Sequence, residues 1–393
     1  MKTKMTRLFK EFFSTEQSSG IILIIATIIS IAIANSAWGE SYSHFWHTKV
    51  GFDTGSIHLK YSVEHWINDG LMAIFFLLIG LEVEREIYIG ELSDLKNALL
   101  PIFAAIGGML VPAGFHYLFN AGTPTQGGFG IPMATDIAFA LGVLALLGDR
   151  VPVSLKIFLT ALAIIDDLGA ILVIALFYVG DFSALNFGLS MAIFALLLVF
   201  NRMRIYNLWF YFIPGILMWY FMLQSGVHAT LAGVLLAFAI PFGNGDEHSP
   251  SYHLQHILHK PVAFIIMPIF ALANTGIVLS GDWIEGLTTA NSMGISSGLL
   301  LGKPIGVMLM CVLAIKLGLS QLPESVTWKH MIGTGFLAGI GFTMSIFITL
   351  LAFNDAEMVQ ISKITVLFAS LIAGLIGYFI LRSMPPVADL DDA

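Results

Sequence analysis

The sequence predicts an all-α membrane protein with twelve transmembrane helices and one short outer β-hairpin. Three observations predict it. The 393 residues are 57% hydrophobic and only 11% charged, a balance that two or three soluble domains of that total length would not carry. Apolar runs recur along nearly the whole chain, each long enough to cross roughly 30 Å of hydrocarbon. The basic residues then fall on one side once the runs are counted.

The spans lie near 20–35, 63–84, 98–119, 131–148, 154–178, 185–201, 207–222, 227–241, 261–280, 293–315, 330–352 and 362–381. Twelve spans put both termini on one side. With that side inside, the inner segments and span ends hold 14 of the 18 basic residues, the outer ones hold Lys49, Lys60 and Lys363, and the one left, Lys303, lies inside a span. This is a clear positive-inside bias. It makes residues 1–393 a single polytopic membrane domain, with an inner loop over 242–260 and an inner acidic tail over 383–393 that includes Asp389, Asp391 and Asp392.

The basic segment Met1–Lys10 before the first apolar run resembles a signal peptide. Asn35-Ser36-Ala37-Trp38 is a poor cleavage site and more spans follow, so an uncleaved first helix is expected. The single cysteine, Cys311, excludes an intramolecular disulfide and sits in an apolar run, where it packs as a small hydrophobe. A net charge of −8 without a basic face gives nucleic acid nothing to bind. No Walker loop is present for a nucleotide, and nothing calls for a resident cofactor.

The outer connection over 40–62 reads as a hairpin. Phe45–Phe52 forms one arm, Asp53-Thr54-Gly55 the turn, and the alternating Ser56–Tyr61 the other. Such an edge can pair with a second chain, or it can cap its own bundle.

Glycine and proline interrupt two spans. The fourth carries Gly130, Pro132 and Asp136, and the eleventh carries Gly333, Gly335, Gly339 and Gly341, followed by Thr343 and Ser345. Non-helical backbone at membrane depth is tolerated where it is buried or lines a wet cavity. Each interrupted span is the middle of a block of three, spans 3–5 and 10–12. With four spans between them, the blocks run in opposite senses. This is the pattern of inverted repeats with two broken, crossing helices. Half-helix ends carry partial charges of both signs, and Asp136 and Lys303 are the charges available to compensate them.

Asp166 and Asp167 stand together within the apolar run of the fifth span. A charge at mid-membrane costs at least about 2.5–3.5 kcal/mol, so such a pair marks a site for a cation, a proton, or each in turn. Neighbours on a helix point about 100° apart, which gives the two aspartates different partners. Thr135, Asp136 and one of them offer the oxygen ligands that hard cations prefer, while Asp136 can equally serve as the cap of its broken helix. A Lys303–Asp166 or Lys303–Asp167 pair would titrate as a unit: a cation that takes the carboxylate lets the lysine shed its proton. The other reading is a fixed salt bridge. Together these parts describe an exchange of sodium for protons at shared oxygens, driven by an ion gradient.

Glu82, Arg85 and Glu86 share the inner end of the second span, as a cation-attracting vestibule or a solvated helix end. His253, His256 and His259 recur three apart near His248, which fits a pH-responsive surface better than zinc. His228 at the start of the eighth span reads as an interfacial cap.

Five stretches carry a resemblance: Pro132–Gly142, Ala163–Gly169, Ser225–Gly233, Gly302–Gly306 and Gly339–Ser345. In this order, over nearly the whole chain, they resemble the NhaA-type sodium/proton antiporters, a family built on inverted repeats. The resemblance implies electrogenic exchange of one sodium or lithium for two protons across the bacterial inner membrane. It also implies activation at alkaline pH and a homodimer joined through the outer hairpin, 45–61. It makes Asp166 and Asp167 the ion and proton site with Thr135 at the crossing, and gives Asp136 and Lys303 charge compensation. It also pairs Lys303 with Asp166. With the two aspartates split by helix geometry, Asp167 is then expected as the ion-facing carboxylate near Thr135 and Asp136, and Asp166 as the one that trades its proton through Lys303. Glu82, Arg85, Glu86, His256 and His259 match the region linked to pH response. There Gln255 replaces an acidic residue, and Tyr252 and His253 replace basic ones. An intramembrane aspartyl protease and an ion-coupled organic-solute carrier are the competing readings.

Overall fold

The computed structural model describes residues 7–385 apart from 56–57, 91, 247 and 280–282, and side chains other than those of 7–17, 95, 96 and 149. The basic start Met1–Thr6, the hairpin tip Ser56-Ile57, and the acidic residues Asp389, Asp391 and Asp392 lie outside the described residues. The described residues are mostly helical, with one two-stranded antiparallel sheet among them. Among the described residues eight helices are long and apolar enough to cross a membrane, or ten when two bent pairs each count as one span. Their apolar stripes face outward: Ile24, Ile25 and Ile28 on the first helix are 46, 51 and 60% exposed, as expected of a surface against lipid rather than water.

Two expected spans are shorter than a crossing. The seventh is Trp209–Leu223, 15 residues, and the eighth is Leu231–Ala239, 9 residues. At 1.5 Å per residue the latter reaches only about 14 Å. Its start is delayed by a turn at Gly226, which sits at φ +79°, where glycine is favoured. The first arm of the hairpin also begins later than expected. Residues 45–47 end a helix, Gly39–His47, that bends by 113° from the first span. Back-bonds from His47 Nδ1 to the Ser43 carbonyl and from Thr48 Oγ1 to the His44 carbonyl, both 2.8 Å, close that helix. The strands are β1 (Lys49–Asp53) and β2 (His58–Ser62), paired from Lys49↔Ser62 to Asp53↔His58. Most of the inner segment read as a loop is likewise helical, over Pro250–Pro261.

The chain divides into two compact units, one of residues 1–21, 91–170 and 280–393, the other of 22–90 and 171–279. The first contains both interrupted spans. The fourth runs as a 3-10 helix, Gln126–Met133, then three extended residues, then an α-helix, Ile137–Leu146. The eleventh is Trp328–Ala338, a break, and Phe342–Ala352, bent by 44°. Around them pack Leu95–Asn120, Val153–Phe177, Lys303–Lys316 and Ala356–Arg382, over a core that includes Leu141, Leu144, Leu155, Leu159, Cys311 and Met331, all fully buried. Leu95–Asn120 meets Lys303–Lys316 where Gly107 faces Gly306. A Cβ on either would run into the other's carbonyl, so two small residues set how closely these backbones approach. That approach puts Lys303 at its depth in the unit.

Candidate functional site

Asp166 and Asp167 lie in the middle of the helix Val153–Phe177 and are 0 and 1% exposed. Lys303 begins the helix Lys303–Lys316, directly after a π-helical turn, Gly298–Gly302, and is fully buried. Its ammonium reaches Asp166 Oδ2 at 2.5 Å and donates a second hydrogen bond to the Met133 carbonyl. That carbonyl sits where the 3-10 helix ends and has lost its helical partner. The lysine therefore satisfies a carboxylate and a broken helix end together.

Thr135 stands in the break of the fourth span. Its hydroxyl lies 2.7 Å from Asp166 Oδ2 and 2.8 Å from the Ala338 carbonyl, at the end of the first half of the eleventh span. One hydroxyl proton serves one of these acceptors at a time. Asp166 Oδ1 is buried and has no hydrogen-bond partner among the described residues. One oxygen of this carboxylate is thus held by Lys303 and Thr135, and the other is open to a proton or a cation.

Asp136 is 2% exposed and has a different set of partners. Oδ1 accepts from the Phe139 N–H at 3.1 Å, capping the second half of its own span. Oδ2 accepts from the backbone N–H of Thr343 at 3.0 Å and from the Thr343 hydroxyl, at the start of the second half of the eleventh span. Its backbone N–H donates to the Ile340 carbonyl at 2.6 Å, and the Ser345 hydroxyl donates to the Ile131 carbonyl at 2.6 Å. The two breaks are bonded to each other residue by residue.

The Asp136, Asp166 and Lys303 picked out in the sequence are therefore brought together, with Lys303 on Asp166 as expected and with one change: Thr135 joins that same aspartate instead of standing beside Asp167. Asp167 is near enough to Lys303 to interact with it electrostatically. Among the described residues no three His, Cys, Asp or Glu side chains gather as a metal cluster.

A family model described as Na+/H+ antiporter 1 matches residues 10–381. The chain belongs to this family. Proteins named Na(+)/H(+) antiporter NhaA are similar to it nearly end to end. The one from Flavobacterium psychrophilum is 60% identical over 379 residues, 96% of this chain and 97% of its own. The one from Dechloromonas aromatica is 58% identical over 381 residues, 96% of each. One from Vibrio cholerae is 49% identical over 387 residues, 98% of this chain and 99% of its own. By these names the relatives are antiporters, not enzymes.

The second unit holds the other charged residues expected of this family. Glu82 and Glu86 are buried at 3 and 8% exposure on the helix Met72–Tyr88. Arg85 pairs with Glu86, its sequence neighbour, at 2.7 Å. The helix Pro250–Pro261 packs against this one. It turns Gln255 inward and His256 outward, with His259 between the two extremes. The Nε2 of His228 lies 2.6 Å from the Tyr178 carbonyl, as that of a cap would, which fixes the proton on that nitrogen, since a carbonyl only accepts.

The sequence reading missed the Met133 carbonyl, the partnership of Thr343 with Asp136, and Ser370. Ser370 accepts from the backbone N–H groups of Gly341 and Phe342 at 3.2 and 3.1 Å. A hydroxyl at the middle of a long apolar span, beyond Ser362 and Thr365 nearer its start, was the available signal.

Proposed function

We propose that this chain exchanges sodium, or lithium, for protons across the bacterial inner membrane, two protons for each cation, so that charge moves with every cycle. The observation that carries this is the divided state of Asp166, one oxygen held by Lys303 and Thr135 and the other open. A cation arriving at Asp166 competes with the ammonium for the carboxylate. Once the ion pair is broken, a buried ammonium has lost the charge that stabilised it, and its proton leaves. Asp167 contributes the second proton from the next helix position. Facing outward the site reloads protons and releases the cation; facing inward it does the reverse. Asp136 and Lys303 act on the loose ends of the broken helices, and Asp136, with both oxygens engaged, compensates charge instead of coordinating the ion.

The same reading completes the architecture. Twelve spans, counting Trp209–Leu223 and Leu231–Ala239 as parts of the seventh and eighth, place both termini in the cytoplasm. Spans 3–5 and 10–12 are inverted repeats whose broken members cross. The bonds Thr135 to Ala338, Asp136 to Ile340 and Ser345 to Ile131 support that crossing. The chain works as a homodimer joined through the outer hairpin, and Glu82, Arg85, Glu86, His256 and His259 tune its response to pH.

The test is sodium-induced dequenching of a pH dye in everted vesicles. A response in the wild type that Asp166→Asn and Asp167→Asn each abolish is expected; a normal response in Asp166→Asn sinks the site. An intramembrane protease would cleave a peptide and leave the dye unmoved by sodium. An organic-solute carrier would likewise ignore sodium added alone.

A further inference from the structure

We infer that Ser370 is a positioning residue for ion binding, acting through the interrupted eleventh span. This rests on the sodium/proton reading above. A helix begins with up to four N–H groups that have no partner within it. At Phe342–Ala352 three of them are met from outside the helix. Gly341 and Phe342 donate to Ser370 Oγ, and Thr343 donates to Asp136 Oδ2. Ser370 sits mid-way along Ala356–Arg382 and is 5% exposed. A hydroxyl oxygen has two lone pairs, and both are used here on adjacent residues of one helix start.

The consequence is a continuous line of direct bonds. Ser370 holds Gly341 and Phe342. The next residue, Thr343, holds Asp136 through its N–H and its hydroxyl. The residue before Asp136, Thr135, holds Asp166, and Asp166 holds Lys303. The backbone at Gly341 is closely packed, since a Cβ there would meet the Ser345 hydroxyl and the Ala134 carbonyl. Movement of this helix start when Ser370 is lost is therefore passed to Asp136 and Thr135. Asp136 supplies the negative charge at the helix start, and Ser370 sets where that start lies.

The experiment compares wild type, Ser370→Ala and Ser370→Thr in proteoliposomes. We expect Ser370→Ala to raise the KM for sodium about tenfold, the equivalent of ~1.4 kcal/mol, with turnover within about twofold of wild type. Ser370→Thr, which keeps the hydroxyl, restores the wild-type KM. Loss of folded protein alone lowers the total rate but leaves KM unmoved. If Ser370→Ala fails to insert, Ser370→Cys, similar in size but a weak acceptor, replaces it with the same expectation. An unmoved KM in the alanine or cysteine variant overturns the assignment, as does a threonine variant impaired as much as the alanine one. Absence of exchange in the wild type would instead remove the underlying function.

Discussion

The two interrupted spans have the same problem and solve it with different chemistry. Each leaves backbone carbonyls and N–H groups without helical partners at membrane depth, where water is not there to meet them. In the fourth span charged groups step in: Lys303 on the Met133 carbonyl and the Asp136 carboxylate on the Phe139 N–H. In the eleventh, neutral hydroxyls do most of the work, Thr135 at the Ala338 carbonyl and Ser370 at two N–H groups, with Asp136 reaching across to Thr343. The charged break is the one whose partners can change with a proton or a cation. The neutral break is the frame against which that change occurs.

That contrast can be attacked at several points. The largest effect is expected at Asp166→Asn, which removes the charge contested by lysine and cation. Exchange should fall at least about 100-fold, measured as sodium-driven proton flux, while the protein still inserts.

Lys303→Met comes next. It leaves a buried carboxylate without its counter-charge, a loss of about 3–5 kcal/mol when one partner of a buried pair is removed. The thermal midpoint in detergent should drop accordingly. Combining it with Asp166→Asn should recover most of that stability, since neither charge is then stranded. A double variant no more stable than Lys303→Met alone would contradict the pairing.

Thr343→Val tests the neutral break. It keeps the N–H bond to Asp136 and deletes the hydroxyl bond, so denaturation should show a loss of about 1.5–3 kcal/mol, the range for a bond to a charged group. A change below the error of the measurement would mean that the Thr343 hydroxyl bond to Asp136 does not help hold the second half of the span.

The smallest effect belongs to the outer hairpin. The Gly55 N–H and then His58 hold the Asp53 carboxyl below the usual carboxylate range. A folded value below the unfolded one gives a contribution that is present above the unfolded value and lost as pH falls through the folded one. The protection of the Gly55 amide against exchange, relative to its intrinsic rate at each pH, should fall as the pH drops below about 4, and Asp53→Ala should remove that step.

Much of this site was legible in the sequence. Asp136, Asp166, Asp167 and Lys303 declare themselves because a charge in an apolar run is conspicuous, and the breaks because Gly and Pro are local signals. The choice of partners was not legible. Lys303 lies 137 residues from Asp166, and Thr135 lies 31 away; only packing decides which aspartate each one meets. Thr135 was expected beside Asp167 for that reason. Ser370 was passed over because one hydroxyl in an apolar span more often bonds its own helix. The arm expected from Phe45 became helix because aromatic residues suit both states, and the back-bonds at His47 and Thr48 decided between them.

The central claim is that sodium and protons exchange at the buried Asp166–Lys303 pair. Its most direct test is uptake of radiolabelled sodium into proteoliposomes holding the purified protein, driven only by an acidic interior. The account predicts rapid uptake in the wild type that collapses with the pH gradient, and none in Asp166→Asn. Sodium uptake in Asp166→Asn at the wild-type rate would contradict it.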